Sequence, residues 1–390
     1  MKITGISTVV VNAIHRNWVF VKVQTDQPGL HGWGEATLEW KTRAVLGAIE
    51  DLAPFVVGED PHRIEHIFAK MTKFSFWPLG SIGLTAVSAI DQALWDIKAK
   101  DLGVPVWQLL GGQVRDRVRV YTHLRRAKIG AQVGTEDMGA FCAAVEETVA
   151  MGYNAVKLSF VPYCAHEATV SDLLHVEKLA AAVRDRVGPD VAIMTDFHGR
   201  PASPEVARAF IDVIAPIRPL FVEEPIQPGN AAAMAALARR VDCPLATGER
   251  LFTLREFAEL AELQAVATIQ PDLSHCGGLT GGRKIAAIAE AGQMAVAPHN
   301  PMGPVAGAVA LHFDVATPNF LIQEEAVGLV PWFDEIFDHP MRLVDGCWEV
   351  PQGPGFGIEI NEAAAARHPF APEIVPATEA VLPDGTIAHW

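Results

Sequence analysis

The first 37 residues alternate short apolar runs with polar turns. The runs "ISTVVVNA" and "WVFVKVQT" are rich in β-branched and aromatic residues, and the turn "DQPG" precedes the run "LHGWGEA". Residues of the first kind favour strands, whereas Asp, Pro and Gly favour turns. The pattern therefore predicts an antiparallel meander at the start of the chain.

Helical periodicity replaces the strand pattern after this meander. The longest helical stretch runs from about Leu84 to Leu102, where apolar positions recur at the spacing of one helix face. Gly103 and Pro105 follow it, and both are typical helix stops. This mixture of strands and helices predicts an α+β domain, which we assign to residues 1–116.

A different rhythm begins near residue 117, where short β-rich runs alternate with Ala-rich helical stretches. This alternation predicts an α/β fold in which helices cover a parallel sheet. Eight runs fit the description: 117–123, 155–160, 191–197, 220–225, 244–249, 266–273, 294–300 and 319–325. Eight units favour a closed (β/α) barrel over an open doubly wound sheet, because no Gly-rich dinucleotide fingerprint follows the first run. We assign residues 117–335 to the barrel and residues 336–390 to a segment that returns to the first domain.

Charge and composition narrow the classes of partner. The 390 residues carry a formal net charge of −15, which disfavours nucleic acid or an anionic membrane as a partner. A small anionic substrate is compatible with this charge if a bound divalent cation reverses the local field. The five cysteines are scattered, and neither a signal peptide nor a membrane-spanning run is present, so we expect a cytoplasmic protein.

Six consecutive predicted strands end in ionisable side chains. Barrels of this kind build their active sites at the carboxyl ends of the strands. Any one such residue is more simply a turn or helix cap, or a hydrogen-bonded histidine. Six in succession crowd acids at one end of the barrel, where repulsion raises their pKa values unless a cation is present. The residues are Asp196, His198, Glu223, Glu224, Glu249, Asp272, His299, Glu324 and Glu325.

Three of these acids have the spacing of a metal site. Asp196, Glu223 and Glu249 are 27 and 26 residues apart, one strand–helix unit each, so they would converge from neighbouring strands. Three carboxylates with open coordination positions suit Mg²⁺, a hard ion that prefers oxygen ligands. The sequence therefore predicts Mg²⁺ as the cofactor, bound by these three residues.

Two histidines are placed for proton transfer. His299 and Asp272 end neighbouring strands, and an acid bonded to one ring nitrogen leaves the other nitrogen free to act as a general base. His198 shares a strand face with Asp196, across the barrel from His299. Two imidazoles on opposite sides of a substrate can remove a proton on one side and deliver one on the other.

Ten stretches along nearly the whole chain match a known family. They are "HGWGEA", "DQALWDIKAK", "PVWQLLGG", "DFHGR", "LFVEEP", "GERLF", "QPDLSHCGG", "APHNPMGP", "LIQEE" and "DGTIAHW". Through them the chain resembles the enolase superfamily, mandelate racemase subgroup, and most closely its D-galactonate dehydratases. The resemblance implies a (β/α)7β barrel, a modified TIM barrel, with an α+β capping domain built from the N- and C-terminal segments.

The resemblance also implies a reaction and a set of roles. A small-molecule sugar acid would lose its C2 proton and its 3-hydroxyl and give a 2-keto-3-deoxy acid. Relatives commonly form octamers, so a homo-oligomer is implied as well. The implied roles are Mg²⁺ ligands for Asp196, Glu223 and Glu249, base for His299 with Asp272, acid for His198, and hydrogen-bond donor to the enolate oxygen for Glu324.

Departures from the family pattern bear on the substrate. Racemases of the subgroup carry Lys-x-Lys on the second barrel strand, and Ser159 stands here in place of the second lysine. Lys157 could either position the substrate or pair with an acid of the metal site. Capping-domain loops set specificity in the family, so Asn17, Trp18 and Glu39 are candidates to bind the polyol end.

Three alternatives stay open beside a D-galactonate dehydratase. A dehydratase of gluconate, mannonate, arabinonate or fuconate would share the same catalytic residues. An epimerase or cycloisomerase is disfavoured by Ser159. A non-catalytic homologue is disfavoured because every expected site residue is retained. The segments 14–19 and 123–137 diverge from the family and would carry the choice of substrate.

Overall fold

The computed structural model describes residues 1–124, 137–373 and 380–389. Most of the divergent segment 123–137 therefore lies outside the described residues. The predicted meander is a three-stranded antiparallel sheet whose strands lie side by side in chain order. Its strands are β1 Ile3–Asn12, β2 Asn17–Thr25 and β3 His31–Glu35.

Helices pack on one face of this sheet. They are α1 Thr42–Val56, α2 Ile64–Lys73, α3 Gly80–Leu102 and α4 Val106–Leu109. Helix α3 begins at Gly80 and not at the predicted Leu84. It ends at Leu102 as predicted, and Gly103 follows with a φ of 68°, a conformation that favours glycine. Helix α3 lies directly against β3, since a Cβ on Gly34 would stand 1.9 Å from the carbonyl oxygen of Ala89.

The eight predicted barrel strands are all found in the described part of the chain, in the predicted order. They are β4 Arg117–Tyr121, β5 Ala155–Leu158, β6 Ala192–Asp196, β7 Val222–Glu223, β8 Leu245–Thr247, β9 Thr268–Ile269, β10 Ala295–Val296 and β11 Gln323–Glu324. Strands β5 to β10 form one parallel sheet, and β11 pairs in parallel with β4. Parallel bridges between Thr122 and Val156 and between Val296 and Phe320 close the ring.

One helix follows each of the first seven described barrel strands, which gives the (β/α)7β order. These helices are α5 Met138–Ala150, α6 Val170–Val187, α7 Pro204–Ile214, α8 Ala231–Ala238, α9 Leu254–Leu263, α10 Gly278–Ala291 and α11 Pro304–Ala316, with a 3₁₀ turn at Ala215–Ile217. Buried side chains fill the interior of the ring. They are Tyr121, Ala155, Met194, Phe221, Ala246, Ala297 and Ile322. The interior is thus a packed core, and the free space lies at its ends.

The C-terminal segment touches both the barrel and the N-terminal sheet. It contains α12 Phe333–Ile336, β12 Phe337–Asp338, β13 Leu343–Val344, β14 Cys347–Glu349, β15 Glu359–Ile360 and α13 Glu362–Ala365. Strand β14 pairs antiparallel with β4 of the barrel. Further along, Glu359 Oε1 lies 2.7 Å from Lys100 Nζ of α3, and Asn12 N donates to His368 O. Among the described helices, none is long and apolar enough to cross a membrane.

Candidate active site

Three acids meet at the carboxyl ends of neighbouring strands. Asp196 ends β6 and Glu223 ends β7, where the two residues are register partners, and Glu249 follows β8. One oxygen from each carboxylate lies within 4.8 Å of the others. Asp196 and Glu223 are buried, and the Glu249 side chain is 12% exposed. The parallel ladder therefore assembles the predicted triad at one end of the barrel.

The chemistry of this triad fits a divalent cation. The Glu223 oxygens and Asp196 Oδ2 have no hydrogen bond of good geometry to a described residue, and Lys157 and His198 make their close charged contacts. One buried lysine does not balance three converging acids, and burial of uncompensated charge is costly. Three converging carboxylates offer the oxygen ligands that Mg²⁺ prefers. These residues could thus hold Mg²⁺.

Lys157 supplies positive charge to the same acids. It lies on β5 with its side chain 1% exposed. Its Nζ stands 2.8 Å from Glu223 Oε2, 3.0 Å from Glu324 Oε1 and 3.3 Å from Asp196 Oδ2. The structure thus shows the pairing that was one of the two alternatives for this lysine. Lys157 also borders the cavity, so a contact with substrate is compatible with its position.

The pKa values of Glu223 and Glu249 are raised, whereas the pKa of Asp196 is lowered. Burial, with the charge of Asp196, raises the pKa of Glu223 well above its usual range. Burial, with the charges of Glu224 and Asp196, does the same to the pKa of Glu249. Burial also opposes ionisation of Asp196, but His198 and Lys157 outweigh it and hold its pKa well below the usual range. A bound cation would favour the ionised form of all three acids.

The predicted base dyad is formed. Nδ1 of His299 lies 2.8 Å from Asp272 Oδ2, and the other ring nitrogen lies 3.2 Å from Glu249 Oε2. Burial lowers the pKa of His299, but Glu324 and Asp272 outweigh burial and raise it to about 9. An imidazole whose Nδ1 is bonded to a carboxylate presents Nε2 to the triad as a strong proton acceptor.

His198 approaches the triad from the opposite side of the ring. It follows β6, four strands from β10 and His299 in the eight-strand order. Its backbone has a positive φ of 50°, and its N–H donates to Asp196 Oδ1 over 2.9 Å. Its Nε2 lies 3.1 Å from Asp196 Oδ2. This tight turn places the imidazole beside the triad, and its role as the acid stays a prediction.

Arg250 and Glu224 hold the turn at His198 in place. Sequence analysis assigned neither residue a role. Arg250 Nε donates to Glu224 Oε2 over 2.8 Å, and its Nη2 donates to His198 O over 3.1 Å. Glu224 also has a positive φ, of 38°, and its carbonyl accepts from the N–H of Gly199. The sequence could have pointed to Glu224 and Arg250, because each directly follows a predicted metal ligand.

Glu324 ends β11 and is fully buried. Its Oε2 accepts from the N–H of Asn300 over 2.9 Å, and its Oε1 is bonded to Nε2 of His123. Burial raises its pKa, but Lys157 and His299 outweigh burial and hold that pKa well below the usual range. An ionised carboxylate accepts hydrogen bonds and cannot donate them. The donor role for Glu324 stays a prediction, and this environment argues against it.

A cavity of about 550 Å³ opens over these residues. It is bordered by the triad members Asp196 and Glu249, by His198 and His299 and by Glu39 from the N-terminal domain. Its other described lining residues include Arg16, His123, Ser159, Tyr163, Arg200 and His275. A space of this size, walled by two domains and bordered by several ionisable side chains, is typical of a small-molecule site.

Asn17 and Trp18 lie elsewhere, and neither is among the described residues that line this cavity. The Asn17 side chain donates to the carbonyl of Ala371 and accepts from its N–H, which anchors the C-terminal segment. Trp18 packs edge-on against Phe337, with ring centroids 5.5 Å apart. Both are held at the start of β2 by the returning chain, which the local sequence does not reveal.

The neighbouring Arg16, and not Asn17 or Trp18, is among the described residues that line the cavity. Its guanidinium is paired with Glu39 and lies 3.1 Å from the carbonyl oxygen of Pro301. Sequence analysis marked the segments that contain Arg16 and His123 but singled out neither residue. His123 follows β4, so the rule that drew attention to the later strand ends could have found it.

Comparisons with known proteins agree with this architecture. Residues 4–111 match the family described as mandelate racemase / muconate lactonizing enzyme, N-terminal domain, and residues 140–364 match the family described as enolase C-terminal domain-like. A D-galactonate dehydratase of Xanthomonas campestris pv. campestris (strain B100) is 38% identical over 100% of both chains. A D-galactonate dehydratase of Pectobacterium atrosepticum is 36% identical over the same shares.

Solved structures are similar throughout. A member of the enolase superfamily from Salmonella Typhimurium has a TM-score of 0.88 at 33% identity, and the match covers 94% of this chain and 98% of that one. An enolase from Agrobacterium radiobacter, with Na and L-malate bound, has a TM-score of 0.87 at 33% identity over 100% of both chains. The chain therefore belongs to the mandelate racemase/muconate lactonizing enzyme family of the enolase superfamily.

Proposed function

We propose that this protein is a hydro-lyase, a Mg²⁺-dependent dehydratase of sugar acids, with D-galactonate as the lead substrate. The observation that carries the proposal is the pair His198 and His299, on opposite strands and aimed at one carboxylate triad. Relatives named D-galactonate dehydratase, alike over their full length, support the substrate class. The bound L-malate of the Agrobacterium neighbour is, like an aldonate, a 2-hydroxy acid.

Asp196, Glu223 and Glu249 would hold the metal. When bound there, Mg²⁺ would supply a Lewis acid for the negative charge that develops on the substrate carboxylate as the C2 proton leaves. Lys157, buried beside two of these ligands, adds a fixed positive charge on the same side of the cavity. The C2 proton of an aldonate is a very weak acid, so charge stabilisation of this kind is needed before any base can remove it.

His299 Nε2 takes the C2 proton. Asp272 orients the ring through Nδ1 and stabilises the imidazolium that results. On the other face, His198 donates a proton to the 3-hydroxyl as the C3–O bond breaks, so that water leaves. The enol product then tautomerises to the 2-keto-3-deoxy acid, and the two histidines exchange protons with solvent to restore their starting states.

The polyol end of the substrate would lie toward the capping domain. Arg16 and Glu39 form a charged pair at that wall of the cavity and present both donors and an acceptor. Hydroxyl stereochemistry is read by such placed polar groups, because a misplaced hydroxyl leaves them unpaired. Gluconate differs from galactonate at C4, a carbon that would lie toward this wall, whereas mannonate differs also at C2, where the proton is removed.

Purified protein with Mg²⁺ would be tested against a panel of aldonates and aldarates, with 2-keto-3-deoxy products detected as semicarbazones. We expect turnover of D-galactonate, and no turnover by His299→Asn or His198→Asn. Turnover of a different sugar acid would keep the mechanism and change the substrate. No product from any acid would refute the dehydratase assignment.

Assembly and location belong to the same proposal. We expect a cytoplasmic homo-oligomer, as large as the octamers implied by the resemblance. Phe76 and Trp77 support association, because the two residues are 89% and 76% exposed and their rings pack edge to face. Sedimentation velocity of the purified protein gives the oligomeric state directly, and a monomer would refute this part.

A further inference from the structure

His275 lies behind the catalytic dyad, where the mechanism above gives it no role. It sits in the turn between β9 and helix α10, is 4% exposed and borders the cavity. Its Nδ1 lies 2.8 Å from Oγ1 of Thr85, which belongs to helix α3 of the capping domain. Its Nε2 lies 3.7 Å from Asp272 Oδ2. The imidazole therefore stands between the capping domain and the acid of the dyad.

The hydrogen bonds of Thr85 fix the tautomer of His275. A threonine hydroxyl has one hydrogen to donate. Thr85 Oγ1 lies 2.7 Å from the carbonyl oxygen of Ser81, which can only accept, so that hydrogen is committed to Ser81. The contact between Thr85 and His275 must then run the other way, with Nδ1–H of His275 donating to Oγ1. The ring is thus held by its Nδ1–H and turns its Nε2 edge toward Asp272.

The Asp272 carboxylate is held from several sides. Its Oδ1 accepts from the N–H of Ser274 over 2.7 Å, and its Oδ2 is the atom bonded to His299 Nδ1. The Nε2 edge of His275 approaches that same Oδ2. At 3.7 Å, and without a proton on Nε2, His275 makes no hydrogen bond to Asp272. Its ring, fixed by Thr85, instead packs against the carboxylate that orients the base.

We propose that His275 is a positioning residue for the Asp272–His299 dyad, locked in its Nδ1–H form by Thr85 of the capping domain. The capping domain would then take part in proton abstraction as well as in substrate binding. The kinetic consequence rests on the proposed function. The assignment of the Nδ1–H tautomer to His275 does not rest on the proposed function and can be tested separately.

Thr85→Val removes the hydroxyl acceptor but keeps the side-chain shape. We expect kcat to fall about tenfold with KM unchanged, since partners that orient a reacting imidazole are worth about 10–100-fold. The isotope effect on kcat with C2-deuterated substrate should rise, because C2–H cleavage becomes slower. Thr85→Ser should restore the wild-type values. A loss in KM alone, or no change in kcat, would overturn the proposal.

Ser88→Ala is the matched control. Ser88 lies one turn further along α3, and its Oγ accepts from the N–H of Gly277 in the same barrel turn. The variant breaks a hydrogen bond between the same two elements without touching His275, so we expect kcat within twofold of wild type. In a His275→Asn background, Thr85→Val should have no further effect on kcat. An equal loss in both backgrounds would show that Thr85 acts by another route.

Nitrogen-15 NMR of histidine-labelled protein tests the tautomer without any substrate. We expect a proton on Nδ1 of His275 in wild type and faster solvent exchange of the His299 Nδ1 proton in Thr85→Val, by about tenfold. A His275 protonated at Nε2 alone, or an unchanged exchange rate, would refute the proposal. If the tautomer is as expected while no sugar acid is turned over, the proposed function fails and the positioning of the dyad stands.

Discussion

His198 and His299 approach the cavity from opposite strands, so each should control a different proton. His299→Asn should abolish both exchange of the C2 proton with solvent and dehydration, because no base is left. His198→Asn should lose dehydration by about 10²–10⁴-fold but retain C2 exchange, since His299 and Asp272 are intact. Exchange would be followed by NMR of D-galactonate in D₂O. Loss of exchange in His198→Asn as well would contradict the division of roles.

The raised pKa of His299 predicts the pH dependence of catalysis. A base must be unprotonated to act, and below a pKa of about 9 the neutral fraction falls tenfold for each unit of pH. We therefore expect kcat/KM, measured at saturating Mg²⁺, to rise from pH 6 toward pH 9. Asp272→Asn removes one cause of the raised pKa, so its acidic limb should move to lower pH while the maximal rate falls. Identical limbs in both proteins would contradict this.

At the scale of single residues, the sequence predicts which ionisable side chains gather at the site better than it predicts what each side chain contacts. Asp196 and His299 could be found because a strand end in a barrel has a fixed location. Trp18 and Arg16 could not be told apart, since Trp18 packs against Phe337 of the C-terminal segment and Arg16 contacts Pro301, 285 residues later in the chain. His275 was missed for a similar reason, because its partner Thr85 lies 190 residues earlier in the chain.

At the scale of elements, the contact of β3 with α3 depends on glycine. A Cβ on Gly34 would lie 1.9 Å from a backbone carbonyl oxygen that cannot move without distorting the helix. We expect Gly34→Ala to lower the free energy of unfolding by about 3 kcal/mol or more, as overpacking does in cores. Gly47→Ala in α1 is the control, because nothing lies within 4 Å of its Cβ position and it should stabilise by about 0.5–1 kcal/mol. Urea denaturation measures both, and equal midpoints would contradict the tight contact.

The order of barrel elements was predictable, whereas their lengths were not. All eight barrel strands in the described residues fall within the predicted runs. Four of them, β7, β9, β10 and β11, contain only two residues each. Apolar runs mark burial, and the residues flanking a strand are buried by helices without joining the ladder. Helix α3 shows the same limit, because its first turn carries no strong start signal.

At the scale of the whole molecule, cation binding should stabilise the fold. The triad binds the ion only when three strands are assembled, so Mg²⁺ favours the native state. At about 100 times its Kd, Mg²⁺ should add about 2.7 kcal/mol, and a scanning-calorimetry Tm should rise by about 5 °C relative to EDTA. Glu249→Gln should lose most of that rise. A Tm that does not respond to Mg²⁺ in the wild type would contradict the site.

The barrel closes where its first strand, β4, pairs with its last, β11. His123 and Glu324 meet at that seam although 201 residues separate them. During synthesis the cavity therefore has no complete wall until the ribosome has released the residues of β11, even though the proposed Mg²⁺ ligands and both proposed catalytic histidines are already in the emerged chain. A nascent chain that stops short of Glu324 carries nearly all the proposed catalytic groups and has no enclosed place in which to use them.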